Sequence, residues 1–266
     1  MEQWREVADR VFVRRHSELD LSTGLVFGSA RALVVDTRGD REQGAELAAA
    51  VREVTSQPWE VVLTHGHFDH YFGTAAFLPA PVRAHANCPR YLDEHAERQR
   101  AEWVEHYRAE GRHELATALS RTNVAQPDRL VHDRAEIDLG DRIVQLHHLG
   151  AGHTDHDLVA QVPDAGVVFA GDLVEQGAPP DFEDAFPESW PAALAALLQL
   201  RPEIVVPGHG NPVDAEFVRG QRAELAALAG LCASFRTAAI SETEALRASP
   251  YPAETTGRAL RRALAA

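Results

Sequence analysis

The 266-residue chain contains no lysine, so all 26 of its basic residues are arginine. A lysine is required for Schiff-base catalysis, for attachment of pyridoxal phosphate and for a phosphate-binding P-loop. The absence of lysine therefore excludes all three features. Cysteine is almost absent as well, since Cys88 and Cys232 are the two in the chain and lie far apart in sequence. Two isolated thiols do not form a disulfide framework, and we expect both to be reduced.

The chain also lacks long apolar segments and an excess of positive charge. Its first residues, Met1–Glu6, are charged, and no segment reaches the length of a membrane-spanning helix, so we predict no signal peptide, no membrane association and a cytoplasmic location. The formal net charge of −14 argues against a nucleic-acid partner, which requires a basic face. With 45% hydrophobic residues and no linker, the chain is expected to form one domain, residues 1–266.

The most informative feature present is a cluster of four metal-capable side chains: His65, His67, Asp69 and His70. Burying so many polar groups without partners would be costly, so they are unlike an ordinary core segment. Two histidines one residue apart point the same way from an extended segment and can bind one ion together. The next two residues follow where the chain should turn into a helix, from which they can reach a second ion. A polar loop that is merely rich in histidine is the alternative.

Three further metal-capable residues each follow a short apolar run that is typical of a buried strand: His153, Asp172 and His209. Ligand sites in α/β sheets lie beyond the carboxyl ends of strands. A glycine precedes each of these three residues and allows the backbone to turn sharply enough to aim the side chain inward. The three residues therefore supply the ligands that the cluster alone lacks.

The H-x-H-x-D-H cluster, followed in order by G-H-T, G-D and G-H-G motifs, resembles the metallo-β-lactamase superfamily of metallohydrolases over roughly residues 11–213. The resemblance implies an α/β fold, the four-layer αββα sandwich. The helical spacing of apolar residues predicts in addition a helical insert at residues 89–119 and C-terminal helices over residues 214–266. The resemblance implies that one metal is bound by His65, His67 and His153, that a second is bound by Asp69, His70 and His209, and that Asp172 bridges both. It also implies that Asp36 orients a histidine from outside the ligand set.

These imidazole and carboxylate donors suit two Zn²⁺ ions per chain, and Fe or Mn would also fit. A zinc-bound water has a pKa of about 7, so a hydroxide bridging two zinc ions would be available at neutral pH. We expect it to attack an ester, thioester, lactone or amide of a small molecule, with Asp69 and Asp172 as catalytic carboxylates and no organic cofactor. The alternative is a mononuclear iron enzyme like the persulfide dioxygenases of the same superfamily, which use equivalents of His65, His153 and Asp172.

Departures from the family pattern limit the branches of the superfamily that the chain can resemble. With an aspartate, Asp172, at the fourth motif, the chain resembles glyoxalase II, lactonases and related hydrolases. One large group of true zinc β-lactamases has cysteine at this position. The 88 positions from His65 to His153 exceed the corresponding stretch of glyoxalase II. The C-terminal tail also contains no clear copy of the thioester-binding residues of glyoxalase II. The substrate within the hydrolase class therefore stays open.

Two segments are candidates for the substrate pocket. The insert has an apolar helical face, which indicates either a helix pair packed on the surface or a lid with Trp103, His106 or Tyr107 lining the pocket. The proline-rich segment 175–187 starts beside Asp172, and we expect its Phe182 and Phe186 to form an apolar wall. An apolar stripe along residues 217–235 predicts core packing or a homodimer contact.

The residues around His153 are expected to support the site without binding metal. We predict that His156 hydrogen bonds beside the ligands and that Asp155 and Asp157 hold the turn. The adjacent His147 and His148 are expected to be structural.

Overall fold

The computed structural model of the protein describes residues 3–265, which form twelve β-strands and eight α-helices. The strands are β1 Trp4–Ala8, β2 Val11–Arg15, β3 Ser22–Phe27, β4 Ala32–Val35, β5 Trp59–Val62, β6 Val82–His85, β7 Arg129–Val131, β8 Arg134–Asp138, β9 Ile143–His147, β10 Val159–Val162, β11 Val167–Glu175 and β12 Ile204–His209. The helices are α1 Arg41–Val54, α2 Phe68–Tyr71, α3 Cys88–Ala109, α4 His113–Ser120, α5 Trp190–Gln199, α6 Ala215–Arg236, α7 Glu242–Ala248 and α8 Ala253–Ala265.

The strands form two sheets. The first has the order β1-β2-β3-β4-β5-β6-β7 and changes from antiparallel to parallel pairing at β4. The second has the order β12-β11-β10-β9-β8 and is antiparallel except for the β11–β12 pair. The strand β7 pairs with β6 of the first sheet, so the second sheet begins with β8 at Arg134.

The two sheets face each other, and helices cover both outer faces. In β4, Val34 packs with Leu47 of α1 in the core under the helices, whereas Leu33 and Val35 pack in the core between the sheets. Successive side chains of a strand point to opposite faces, so one apolar run contributes to two cores. The resulting order of helix, sheet, sheet and helix is the predicted αββα sandwich.

Polar side chains at the first residues explain where several helices begin. Asp40 and Asp214 accept hydrogen bonds from backbone N–H groups in the first turns of α1 and α6. Ser241 and Glu244 form a capping box at the start of α7, as their spacing predicts. Such caps satisfy N–H groups that have no partner within the helix.

The insert is the helix pair α3 and α4, which joins the core under the first sheet through apolar residues of both helices. The stripe on α6 is buried from Gln221 to Cys232 against the second sheet, while Phe217 at its start is exposed. That stripe is core packing, and a homodimer stays a prediction. Cys88 and Cys232 form no disulfide, as expected, and both are buried. Within residues 3–265, no helix combines the length and apolar character needed to cross a membrane.

Candidate metal centre

The H-x-H-x-D-H cluster follows β5 at the edge of the first sheet. His65 and His67 lie in the loop after the strand, and Asp69 and His70 lie in the short helix α2, as the sequence indicates. Gln99 of the insert helix α3 holds this loop, because its side chain accepts a hydrogen bond from the backbone of Phe68 (3.0 Å) and donates one to Gly66 (3.3 Å). The insert therefore supports the loop that carries the candidate ligands.

His153 lies in a tight turn that Asp157 holds. The backbone N–H and the hydroxyl of Thr154 both donate to the Asp157 carboxylate, at 2.9 Å and 2.6 Å. His156 lies behind the first cluster, where its Nε2 accepts a hydrogen bond from the Gly66 N–H at 3.1 Å. Both contacts agree with the supporting roles expected from the sequence.

Asp172 lies inside a strand rather than after one. The sequence predicts that this strand ends at Gly171, but β11 continues to Glu175. Its pairing with β12 shifts register around Gly171, whose φ of +54° is readily adopted by glycine. Such an irregularity changes the direction of the next side chain. It allows Asp172, although it lies within β11, to face the other candidate ligands.

The close approach of β12 to Asp172 also requires glycine. A Cβ atom added to Gly208 would lie 1.8 Å from Asp172 Oδ1, far inside van der Waals contact. Any side chain at this position would displace either the carboxylate or the strand. The glycine of the G-H-G motif therefore provides the space in which the Asp172 carboxylate lies.

A first group of donors consists of His65, His67, His153 and Asp172, each with one ligand atom within 4.8 Å of the others. His67 Nδ1 lies 2.9 Å from His153 Nε2. Asp172 Oδ2 lies 3.7 Å from His65 Nε2 and 3.5 Å from His153 Nε2. Three imidazole nitrogens and a carboxylate oxygen thus face one small volume.

A second group consists of Asp69, His70 and His209. His209 Nε2 lies 3.3 Å from both Asp69 Oδ2 and His70 Nε2. The Asp172 carboxylate reaches this group too, with Oδ1 3.0 Å from His70 Nε2 and Oδ2 3.4 Å from His209 Nε2. Asp172 therefore lies between the two groups, in the position that a bridging carboxylate requires.

The chemistry of these donors fits divalent metal ions. His65 Nε2 and Asp172 Oδ1 are buried and make no hydrogen bond within residues 3–265, since the approach of His70 to Asp172 lacks hydrogen-bond geometry. A buried polar atom without a partner costs about 1–3 kcal/mol, which coordination would offset. Burial, followed by the charge of His70, holds the pKa of His65 well below its usual value and keeps it in the neutral form that binds metal. Burial alone would raise the pKa of Asp172, but His70 and His209 hold it well below its usual range.

Asp36 lies directly behind the second group, as the resemblance implies. Its Oδ2 is 2.8 Å from His70 Nδ1, and the backbone N–H and hydroxyl of Thr64 donate to the same carboxylate at 2.8 Å and 2.9 Å. These bonds fix the ring so that His70 Nε2 faces the ligand group.

A substrate-sized cleft of about 360 Å³ opens onto the donors. Helix α3 lines it with Tyr91, Arg98, Gln99, Glu102 and Trp103, so one of the three aromatic candidates on the insert faces the cleft. Tyr107 is instead buried, and its hydroxyl donates to Glu18 at 2.8 Å. Whether the insert moves as a lid stays a prediction.

The expectation of an apolar wall formed by Phe182 and Phe186 is wrong. Phe182 is 1% exposed and packs on Trp190 in the core, and Phe186 lies outside the cleft lining. Segment 175–187 does line the cleft, but mostly through polar residues, because Asp181 and Glu183 alternate with the inward-facing Phe182. The Phe182 ring is therefore buried in the core, whereas the carboxylates of Asp181 and Glu183 face the cleft.

Sequence reasoning missed Asp184, whose carboxylate lies 3.1 Å from His67 Nε2. The two residues are 117 positions apart, and no motif links them. The proximity of segment 175–187 to Asp172 was the one signal that could have pointed to it.

Comparison with known proteins identifies the family of the chain. The family model of the metallo-beta-lactamase superfamily matches residues 19–209, and the chain belongs to that superfamily. It is 26% identical to a metallo-beta-lactamase type 2 of Bacillus cereus over 201 residues, which are 73% of this chain and 68% of that protein. It is 28% identical to the acyl-coenzyme A thioesterase MBLAC2 of Bos taurus over 249 residues, 89% of this chain and 85% of that protein.

Solved structures share the fold as well. A metallo-beta-lactamase from Pontibacter korlensis superposes with a TM-score of 0.70 at 20% identity, covering 85% of this chain and 99% of that one. The chain is thus a member of a superfamily made up largely of metallohydrolases, with His and Asp groups that could hold metal.

Proposed function

We propose that the protein is a dinuclear zinc hydrolase that cleaves an ester, thioester, lactone or amide bond of a small molecule. The observation that carries this proposal is the position of Asp172, whose carboxylate lies within 3.0–3.7 Å of histidine nitrogens from both donor groups. His65, His67 and His153 would hold the first ion, and Asp69, His70 and His209 the second. The imidazole-rich donor set favours zinc.

Bound zinc would supply a coordinated water of lowered pKa and would polarise the substrate oxygen. The residues of the chain contribute positioning and charge. Asp172 holds the two groups at a fixed separation, and Asp36 fixes the ring of His70. Asp69 lines the cleft and lies 3.3 Å from His209 Nε2, so its carboxylate is placed to orient the attacking water. No serine or cysteine nucleophile is required by this arrangement.

The cleft favours a neutral acyl compound of modest size over a polyanion. Eight carboxyl groups and one arginine, Arg98, line it. Two of these carboxyl groups, Asp69 and Asp172, belong to the donor groups, and six remain beyond them. Burial raises the pKa of one of the six, Glu175, to about 8, so this carboxyl group is largely neutral at pH 7. The negative charge of the others would repel a phosphate backbone, which supports the view that nucleic acid is not a substrate.

Trp103 and Phe68 provide the apolar contact. The similarity to a protein named as an acyl-CoA thioesterase supports the thioester as a bond type, whereas the carboxylates of the cleft favour a thiol leaving group without the phosphates of coenzyme A.

Metal content is the first test. We expect the purified protein to contain close to two zinc ions per chain by elemental analysis, because two donor groups share one carboxylate. Removal of metal with a chelator should abolish hydrolysis, and added zinc should restore it. One iron per chain with no second ion would contradict the proposal and support the mononuclear dioxygenase alternative.

Substrate class is the second test. We expect hydrolysis of at least one neutral ester, thioester or lactone in a panel that also contains a β-lactam and a phosphodiester. The zinc-loaded protein and a chelator-treated sample are assayed side by side to assign the activity to the metal centre. Phosphodiester cleavage much faster than cleavage of any acyl substrate at physiological salt would show that the substrate assignment is wrong.

A further inference from the structure

The ring of His67 is held between two sets of partners. Its Nδ1 lies 2.9 Å from His153 Nε2, inside the first donor group. Its Nε2 lies 3.1 Å and 3.3 Å from the two carboxylate oxygens of Asp184, on the opposite side of the ring. A carboxylate accepts hydrogen bonds, so the ring proton belongs on Nε2 and the Nδ1 lone pair faces the donor group.

We infer that Asp184 is a positioning residue that fixes the tautomer and orientation of His67 for metal binding, an inference that rests on the proposed zinc site. The Asp36–His70 pair of the second donor group has the same arrangement, in which a carboxylate contacts the ring nitrogen that faces away from the donor group. There, Asp36 Oδ2 lies 2.8 Å from His70 Nδ1. A carboxylate behind a ligating imidazole raises its basicity and fixes its direction. Each donor group thus has one histidine backed by a carboxylate.

Asp184 is itself held in place by two helices. The Tyr91 hydroxyl of α3 donates to Asp184 Oδ2 at 2.7 Å. Arg262 of α8 donates to the backbone carbonyls of Asp184 (2.8 Å) and Ala185 (2.9 Å). The side chain is 22% exposed and lines the cleft. A residue whose carboxylate is bound by Tyr91 and whose backbone is bound by Arg262 can hold a ring in one orientation, which a freely moving loop residue could not do.

This arrangement joins the substrate cleft to the first metal site. Asp184 lies in the same loop as Asp181 and Glu183, which line the cleft, and it contacts a candidate ligand directly. Displacement of this loop would therefore be transmitted to His67. The insert takes part through Tyr91, so its packing contributes to the geometry of the centre as well as to the wall of the cleft.

Zinc affinity, measured by competition with a chromophoric chelator and without substrate, tests the inference. We expect Asp184→Ala to weaken the first zinc site by about 10–100-fold, the usual effect of removing a carboxylate behind a ligating histidine. Asp184→Asn should lose less, because its amide oxygen still accepts the His67 Nε2–H bond. Tyr91→Phe should also weaken zinc binding at the first site, but by a smaller factor, because the Asp184 carboxylate remains.

Glu183→Gln is the matched control, because it removes a negative charge from the neighbouring loop position without a hydrogen bond to His67 in the described residues. We expect its zinc affinity to equal that of the wild type. In cobalt-substituted protein, Asp184→Ala should change the absorption bands of the first site and leave those of the second, a result that general destabilisation would not produce. Asp184→Asn keeps the size of the side chain and serves if the alanine variant does not fold.

The inference is overturned if each zinc site has the same affinity in the wild type, in Asp184→Ala and in Asp184→Asn. The proposed hydrolase function remains intact in that case, provided that the wild type still takes two zinc ions. A loss of zinc affinity in Glu183→Gln as large as that in Asp184→Ala would also overturn the inference, because the negative charge of the loop would then explain the effect. Absence of zinc binding in the wild type would overturn both the inference and the proposed function.

Discussion

Replacing Asp172 with alanine is expected to remove both metals and the hydrolytic activity together. Its carboxylate is the group that contacts histidines of both donor groups, so its loss leaves each with fewer ligands and nothing to set their separation. The activity loss should exceed the ~10–100-fold typical of a residue outside the ligand set. Elemental analysis of the purified variant and its rate on the best acyl substrate measure the two effects.

Asp36→Ala is the comparison for this experiment. It also removes a buried carboxylate near the centre, but one that contacts a histidine from outside the ligand groups. We expect it to retain metal with affinity or activity lowered by about 10–100-fold. If Asp172→Ala keeps two metals and full turnover, the bridging assignment is wrong. Circular dichroism of both variants shows whether the fold is preserved.

Gly208→Ala is expected to disrupt the centre without altering any ligand. The added methyl group would lie 1.8 Å from Asp172 Oδ1 and 3.0 Å from the backbone carbon of Gly171, so the carboxylate or the strand must move. Overpacking of this kind typically destabilises a protein by about 1–3 kcal/mol. We therefore expect a lower midpoint of unfolding and loss of metal, measured by thermal denaturation and elemental analysis.

Gly220→Ala provides the matched control. Gly220 lies on the exposed side of α6, and an added Cβ would meet no atom within 4 Å. The same substitution there should stabilise the protein by about 0.4–1 kcal/mol, because alanine reduces the conformational freedom of the unfolded chain. Its metal content should not change. Normal metal content and activity in Gly208→Ala would show that Asp172 does not need the space that the structure assigns to it.

Several features of the site follow from the sequence because they depend on local spacing. His65 and His67 are one residue apart in an extended loop, so they face the same side whatever the rest of the chain does. Short apolar runs before His153, Asp172 and His209 indicate strands, and the order of the motifs that contain these residues identifies the superfamily. The αββα fold follows from that resemblance. The capping box at Ser241 is also a local pattern, and the structure contains it.

Other features depend on contacts between residues far apart in the chain. The strand Arg129–Val131 joins the first sheet because its backbone groups pair with β6, which no local pattern shows. Phe182 turns into the core because Trp190 and Tyr251 offer it apolar contacts, so the cleft receives the carboxylates on either side. The sequence gives the composition of this loop but not the direction of each side chain.

The sequence by itself determined which residues are able to bind metal and which family they resemble, since both depend on residue type and spacing. The tertiary structure alone decided how Asp172 is directed and which distant carboxylate supports His67. The direction of Asp172 depends on the register shift between β11 and β12, and the contact of Asp184 with His67 spans 117 positions. The pairing of strands and the packing of distant loops are fixed by burial and hydrogen bonding of the whole domain, and no short segment contains that information.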